Sequence, residues 1–334
     1  MNGIKSLIIS CSDGGEINYL TAERYCDFLR INKEAKITSK FANVANSLYY
    51  VLYLIGHINK INRYDVVMVI GTSTALSVLF LSRLGIIKAK KIIWWGFYLH
   101  SQRSIDLYRK IRFLFETNRT VYVLFSEYEK KLYRKVLGKK TMVKVFQFGD
   151  WEKWEPKNQV EEDYYFSGGY SNRHYLPLIR AFEGTDHRLI IVASTLNKEL
   201  IDIETTDNIK ILFNLERKDF YDLMAKAKGV IIPLKYNSGA SGQSVLIQAM
   251  IHQKLIIIND NEIMKEYVED RYSGVMVKEI EKEIIQRIEE VEQNDELKRE
   301  YITNSHQTYS ENFSRGACIR KTLRILGEIQ EDVR

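Results

Sequence analysis

The 334 residues exceed what one hydrophobic core commonly serves, so two domains are expected. The composition, 45% apolar and 28% charged, is that of an ordinary globular protein. No apolar run reaches the ~20 residues of a membrane-spanning helix, the longest, Val44 to Ile61, being broken by Asn46, Ser47, Gly56, His57, Asn59 and Lys60.

The formal net charge of +6 is unevenly divided. Residues 1–158 carry 26 Lys+Arg against 13 Asp+Glu, and residues 159–334 carry 23 against 30. The excess is concentrated in residues 83–144, with 16 basic and 4 acidic residues. Such asymmetry points to a polyanionic partner of the first half: nucleic acid, an anionic membrane surface or a phosphorylated substrate. The three cysteines, Cys11, Cys26 and Cys318, show no metal spacing and suit reduced thiols in the cytosol. The start, Met1-Asn2-Gly3-Ile4-Lys5, runs into a strand and reads as lacking a signal peptide.

In chain order the pattern alternates strand and helix. Lys5–Ser10 is a predicted strand ending at Cys11-Ser12-Asp13-Gly14-Gly15, and Glu16–Ile31 has apolar residues at helical spacing (Tyr19, Leu20, Ala22, Tyr25, Cys26, Leu29). Ala35–Phe41 reads as a second, weaker strand and Asn46–Ile61 as a helix. Asp65–Ile70 is a strand apolar on both faces, and Gly71-Thr72-Ser73 opens a helix to about Leu84. Lys91–Trp95, Val121–Phe125 and Val143–Phe148 are strands; Ser104–Glu116, strongly basic, and Glu127–Leu137 are helices. Residues 151–163, with Pro156, mixed charge and no periodicity, read as a linker between domains 1–150 and 164–308. Beyond it come strands at Tyr164–Ser167, Arg188–Ser194, Ile209–Phe213, Val230–Pro233, Leu255–Ile258 and Gly274–Val277. Helices are predicted at His174–Phe182, Arg217–Lys226, Gln243 to about His252, Asn261–Val268, Glu279–Glu292, 295–308 and Phe313–Gln330. The alternation implies an α/β protein of two doubly wound, Rossmann-like parallel sheets.

Ligands of such sheets gather at the strand carboxyl ends, and four features lie there. Asp13-Gly14-Gly15 follows the first strand, where glycine admits close backbone approach. It is no dinucleotide fingerprint, since Gly-x-Gly-x-x-Gly is absent, which argues against a nicotinamide oxidoreductase. Phe166-Ser167-Gly168-Gly169 is followed by Arg173, a cation suited to a diphosphate. Ser241-Gly242-Gln243-Ser244 leads into a helix whose first N–H groups and dipole favour an anion, Ser241 being the expected cap. Gln248, about one and a half turns along, has the reach to meet a ribose. Asp13 and His100, after strands of the first domain, are the candidate general bases.

Together these residues resemble the GT-B glycosyltransferases, and within them glycosyltransferase family 4, most strongly over 164–278. Phe166-Ser167-Gly168-Gly169 through Arg173 is similar to the family's glycine-then-basic loop. Ala225-Lys226-Ala227-Lys228-Gly229-Val230-Ile231-Ile232-Pro233 is similar to its helix end, strand and proline. Gln248-Ala249-Met250 looks like its Glu-Ala-Met helix, and Tyr272-Ser273-Gly274-Val275-Met276-Val277 like its closing strand. The first half matches in architecture only. The family's two glutamates, separated by seven residues, align with Ala240 and Gln248, so the carboxylate contact to the donor sugar is missing.

The resemblance implies a glycosyltransferase with two domains facing a cleft and a last helix, within 309–334, crossing back to the first domain. It implies transfer from a nucleoside diphosphate sugar to a saccharide acceptor, lipid-linked in surface polysaccharide or glycan assembly. Gly14, Gly15, Gly169, Arg173, Ser241, Gly242, Gln243, Ser244 and Gln248 would hold the donor. No metal or other cofactor is expected, because the helix and Arg173 supply positive charge and no Asp-x-Asp occurs. Residues 83–144 would suit contact with an anionic membrane from the cytoplasmic side; nucleic acid is not expected, as no recognised module appears. The rival readings are a sugar-nucleotide epimerase of the same fold, for which no cluster of carboxylates and histidine is found, and a non-catalytic subunit, favoured by Ala240.

Overall fold

A computed structural model describes residues 4–11, 15–31, 42–99, 101–151, 160–235 and 241–332. The chain divides into two compact units, Met1–Gln147 with Ile319–Arg334, and Phe148–Cys318.

In the first unit the elements run β1 (Ser6–Ser10), α1 (Gly15–Ala22), β2 (Asp27–Arg30), α2 (Ala42–Gly56), α3 (Ile58–Ile61), β3 (Val66–Ile70), α4 (Thr72–Arg83), β4 (Lys91–Trp95), α5 (Gln102–Ile111), β5 (Thr120–Leu124), α6 (Glu127–Tyr133) and β6 (Met142–Val145). The six strands form one sheet in the order β2-β1-β3-β4-β5-β6, every pair parallel. Alternate strand residues on one face (Leu7, Val67, Ile92 and Tyr122 among them) share a core with Tyr50 and Leu54 of α2, Val78 and Leu79 of α4, Ile105 and Tyr108 of α5, and Tyr133 of α6. These four helices therefore form one layer, as right-handed crossovers to successive strands on the same side require.

The second unit runs β7 (Tyr165–Gly168), α7 (Tyr175–Phe182), β8 (Leu189–Ala193), β9 (Ile209–Phe213), α8 (Arg217–Lys226), β10 (Gly229–Ile232), α9 (Gln243–Ile251), β11 (Leu255–Asn259), β12 (Val275–Val277), α10 (Ile280–Glu292) and α11 (Asp295–Asn312). Its parallel sheet has the order β12-β11-β10-β7-β8-β9. The chain works outward from β7 to β9, then returns beside β7 to build β10 to β12 the other way. That reversal puts a topological switch point between the carboxyl ends of β7 and β10. The last helix, α12 (Arg315–Glu331), begins in this unit, and its residues from Ile319 on belong to the first. There Lys144 pairs with Glu328 and Lys91 with Asp332.

The fold agrees with the predicted alternation of strand and helix, and it corrects three of the predicted helices. The helix expected over Glu16–Ile31 stops at Ala22, and Asp27–Arg30 is the strand β2. Arg24 ends the helix with φ 56°, and the N–H groups of Tyr25 and Cys26 both donate to Leu20 O. That is a left-handed cap without the glycine that normally announces it. Tyr25, Cys26 and Leu29 continue helical spacing by coincidence, since so short a strand gives no alternation to oppose it. The strand expected at Ala35–Phe41 and residues 152–159 of the expected linker lie outside the described residues. The basic helix begins earlier than Ser104, because Ser101 caps it by accepting from Ser104 N, and after Ile111 the chain tightens to a 3-10 turn at Arg112–Leu114. Asn261–Val268 shrinks to the single turn Met264–Glu266, the Asn261 side chain accepting from Ile263 N and Met264 N.

Candidate functional site

The switch point of the second unit gathers the loops after β7 and β10. Backbone bonds stitch them: His174 N donates to Pro233 O at 3.0 Å and Lys235 N to Asn172 O at 3.0 Å. Ser241 adds a side-chain tie, its Oγ donating to Ser171 O at 2.8 Å. Asn259, at the end of β11, brackets Leu234, accepting from its N–H at 2.7 Å and donating to its carbonyl at 2.9 Å.

Gly168 and Gly169 shape the first loop. A side chain on Gly168 would run into the Phe220 ring at 2.4 Å. Gly169 has φ +105°, and a Cβ there would lie 2.6 Å from an Arg173 guanidinium nitrogen. Arg173 is 3% exposed. Its Nε donates to Gly168 O at 2.9 Å and its Nη1 to Ser171 O at 2.7 Å, with Ser241 Oγ at 3.5 Å. The guanidinium is thus folded under the loop and binds its carbonyls. Burial lowers its pKa from the ordinary value, yet an arginine stays charged in proteins. Tyr175 lies alongside, its hydroxyl donating to Gly169 O, and burial raises its pKa.

At the start of α9 the residue placed as the cap by sequence does something else. The N-cap is Gly242, with φ 87° and no side-chain cap bond, while Ser241 turns to the Ser171 carbonyl. A Cβ on Gly242 would sit 3.0 Å from Ile232 Cγ2, so glycine is required by conformation and by space. Leu246 N is the first to bond within the helix, to Gly242 O at 2.9 Å. The N–H groups of Gln243, Ser244 and Val245 belong to the first turn, which has no intrahelical acceptor. Gln243 buries its side chain and donates to Tyr267 Oη at 2.9 Å, while Ser244 is exposed. Gln248 is 5% exposed, and its Oε1 has no hydrogen-bond partner among the described residues.

Beside the loop, at the carboxyl ends of β7, β8 and β9, is a pocket of about 240 Å³ lined by Gly169, Tyr170, Ala193, Ser194, Asn214 and Phe220 among others. Tyr170 is 60% exposed at its edge.

The structure therefore brings together Gly169, Arg173, Ser241 and Gly242, with Gln243, Ser244 and Gln248 following on α9. Gly15 opens α1 in the first unit. Asp13, Gly14 and His100 lie outside the described residues, as does Ala240. Sequence reading missed Tyr175 and Asn259. The signal for Asn259 was present, as the one amide closing the apolar run Leu255–Ile258.

Comparison with solved structures places this arrangement. The chain aligns with a glycosyltransferase of Rickettsia africae at TM-score 0.65 and 15% identity, over 99% of both chains. It aligns with the sucrose-phosphate synthase of Thermosynechococcus elongatus at TM-score 0.75 and 10% identity, over 98% of this chain and 100% of that one. The fold is GT-B. A third GT-B neighbour, HepE of Anabaena in complex with UDP and glucose, matches at TM-score 0.65 and 13% identity, over 98% of this chain and 100% of its own. Residues 171–308 match the model of the family described as glycosyl transferases group 1. That match spans the GT-B segment from Ser171 to the middle of α11. No curated protein gives a significant match to the sequence. Among the described residues no group of three His, Cys, Asp or Glu side chains is placed to hold a metal ion.

Proposed function

We propose that this GT-B chain transfers a sugar from a nucleoside diphosphate sugar to a saccharide acceptor, as a transferase of the family 4 kind. The observation that carries the reading is Gln248 Oε1, buried without a partner among the described residues, on the helix that starts at the switch point. A buried polar atom without a partner costs about 1–3 kcal/mol in the free protein. A ribose hydroxyl would satisfy it, and the free N–H groups of Gln243 and Ser244 would receive the diphosphate. Charge on that diphosphate grows as the glycosidic bond breaks. Fixed N–H groups and the helix dipole aimed at it therefore stabilise the transition state more than the ground state. Arg173 then acts from beneath, holding the 168–173 loop against Ser241. The pocket beside Gly169 would take the base, with the Tyr170 ring at its edge. A uridine donor is the first candidate, because HepE is seen with UDP and glucose. The group 1 match, which covers Arg173, Gln243, Ser244 and Gln248, supports glycosyl transfer.

The finer parts of the proposal are a transfer that needs no metal, a lipid-linked acceptor in glycan assembly, and Asp13 or His100 as the base for the acceptor hydroxyl. The test is sugar release from UDP-, GDP-, ADP- and CDP-hexoses, with and without EDTA. Release from one donor class, undiminished by EDTA, is expected. Release from none of the four would overturn the transferase reading, and release abolished by EDTA would overturn its metal-free part.

A further inference from the structure

We infer that the outer face of the helix layer α2–α4–α5 is a docking surface for an anionic phospholipid bilayer. Every large apolar side chain that is exposed among the described residues of the first unit lies on α2, on α4 with its C-terminal cap, or on α5 with the turn after it. Leu48, Leu52 and Ile55 form an i, i+4, i+7 stripe on α2, the first two 62% exposed; Phe80, Leu107 and Phe113 are on the neighbouring helices. The shared core under α2, α4 and α5 puts them in one layer, so their outward stripes belong to one face. Scattered exposed leucines need no explanation, but confinement of all of them to one layer does.

Charge selects the partner. The 15 residues of α2 carry no charged side chain. Along α5 and its extension, Arg103, Leu107, Lys110 and Leu114 follow at i, i+4, i+7 and i+11, all exposed, alternating basic and apolar. Lys60, Arg83, Arg103 and Lys110 are exposed and make no ion pair among the described residues. Asp106 is the single acidic residue of the three helices, and Arg109 meets it at 3.6 Å. Unpaired cations set among apolar side chains, with a single acid that is already paired, match a surface that is apolar beneath and anionic above. Arginine and lysine stems can lie along the same apolar surface while their charged ends stay in the headgroups.

The surface is built from residues of the first unit and the donor site from residues of the second, so vesicle binding and nucleotide binding fail independently. The experiment is flotation of the full chain with phosphatidylcholine vesicles and with vesicles containing phosphatidylglycerol, at low and high salt, without nucleotide. Binding to the anionic vesicles alone, weakened by salt, is expected. Arg103→Gln with Lys110→Gln should weaken partitioning about 25-fold, at about fivefold per cation. Leu48→Gln with Leu52→Gln and Ile55→Gln should weaken it by at least about tenfold. Both variants change exposed residues and should melt as the wild type does. No binding to anionic vesicles at low salt overturns the inference, as does binding equal in all three proteins. A wild-type dimer that the triple variant abolishes, with no vesicle binding, assigns the face to a second copy and also overturns it.

Discussion

Arg173→Ala tests whether this buried cation works through the loop that covers it. The wild-type side chain donates to Gly168 O and Ser171 O at 2.9 and 2.7 Å, with Ser241 Oγ at 3.5 Å as a weak third contact. Hydrogen bonds from a charged donor are worth about 1.5–3 kcal/mol each, so the two short ones give about 3–6 kcal/mol gross. Truncation also returns the cost of burying the cation, leaving a net loss of about 2–4 kcal/mol. For a unit of this size that lowers Tm by roughly 5–15 °C. Without the guanidinium beneath it, the 168–173 loop loses the hold on the Ser171 carbonyl that Ser241 binds, and UDP affinity should fall about 10–100-fold. Arg173→Lys separates the two roles, because a lysine keeps the charge but lacks the planar fork that reaches several acceptors at once. Thermal unfolding without nucleotide and calorimetric titration with UDP read both quantities. The expected result is that lysine restores little of either. An alanine variant with unchanged Tm, or a lysine variant with full stability and affinity, would refute the reasoning.

Three more outcomes follow from the same geometry. Gln248→Met removes an amide whose oxygen has no partner among the described residues, so Tm should hold or rise while UDP binding weakens about tenfold; parallel melting and titration check this, and equal losses in both would deny the ligand role. Gly169→Ala should destabilise by about 2–3 kcal/mol, from φ +105° and a Cβ 2.6 Å from the Arg173 guanidinium; urea unfolding measures it, and a neutral effect would contradict the close approach. His252, which caps the end of α9, has its pKa lowered from 6.5 to about 4 by burial and then by Lys254, against an opposing pull from Asp222. The unfolded chain therefore takes up that proton first. The stabilisation is complete above about pH 6.5 and declines toward pH 4, by about 2 kcal/mol after solvent screening. Urea titrations across that window should show a slope that His252→Gln removes, and an identical slope in the variant would assign it elsewhere.

The centre of the second sheet was legible because its strands there are continuous apolar runs closed by proline or asparagine, as at Val230–Pro233 and Leu255–Asn259. Regular periods betray themselves, whereas β2 hid behind a non-glycine cap at Arg24 and four residues too few to alternate. The site was legible as a set of loops, because glycine at 169 and 242 marks backbone that no other residue adopts cheaply. Its internal wiring was not. Whether Arg173 faces a ligand or folds under its own loop depends on carbonyls supplied by Gly168 and Ser171, and whether Ser241 caps a helix depends on a neighbour 70 residues away. The apolar stripe of α2 was equally hidden, since Leu48, Leu52 and Ile55 read as core until the layer they face away from is known.

Thermal shift of the full chain with uridine, guanosine, adenosine and cytidine diphosphates tests the central claim most directly. At about 100 times Kd a bound diphosphate adds about 2.7 kcal/mol, which is roughly 5–10 °C for a unit of this size. The account predicts that one of the four gives such a shift, and that Arg173→Ala diminishes it. No stabilisation by any nucleoside diphosphate would contradict it.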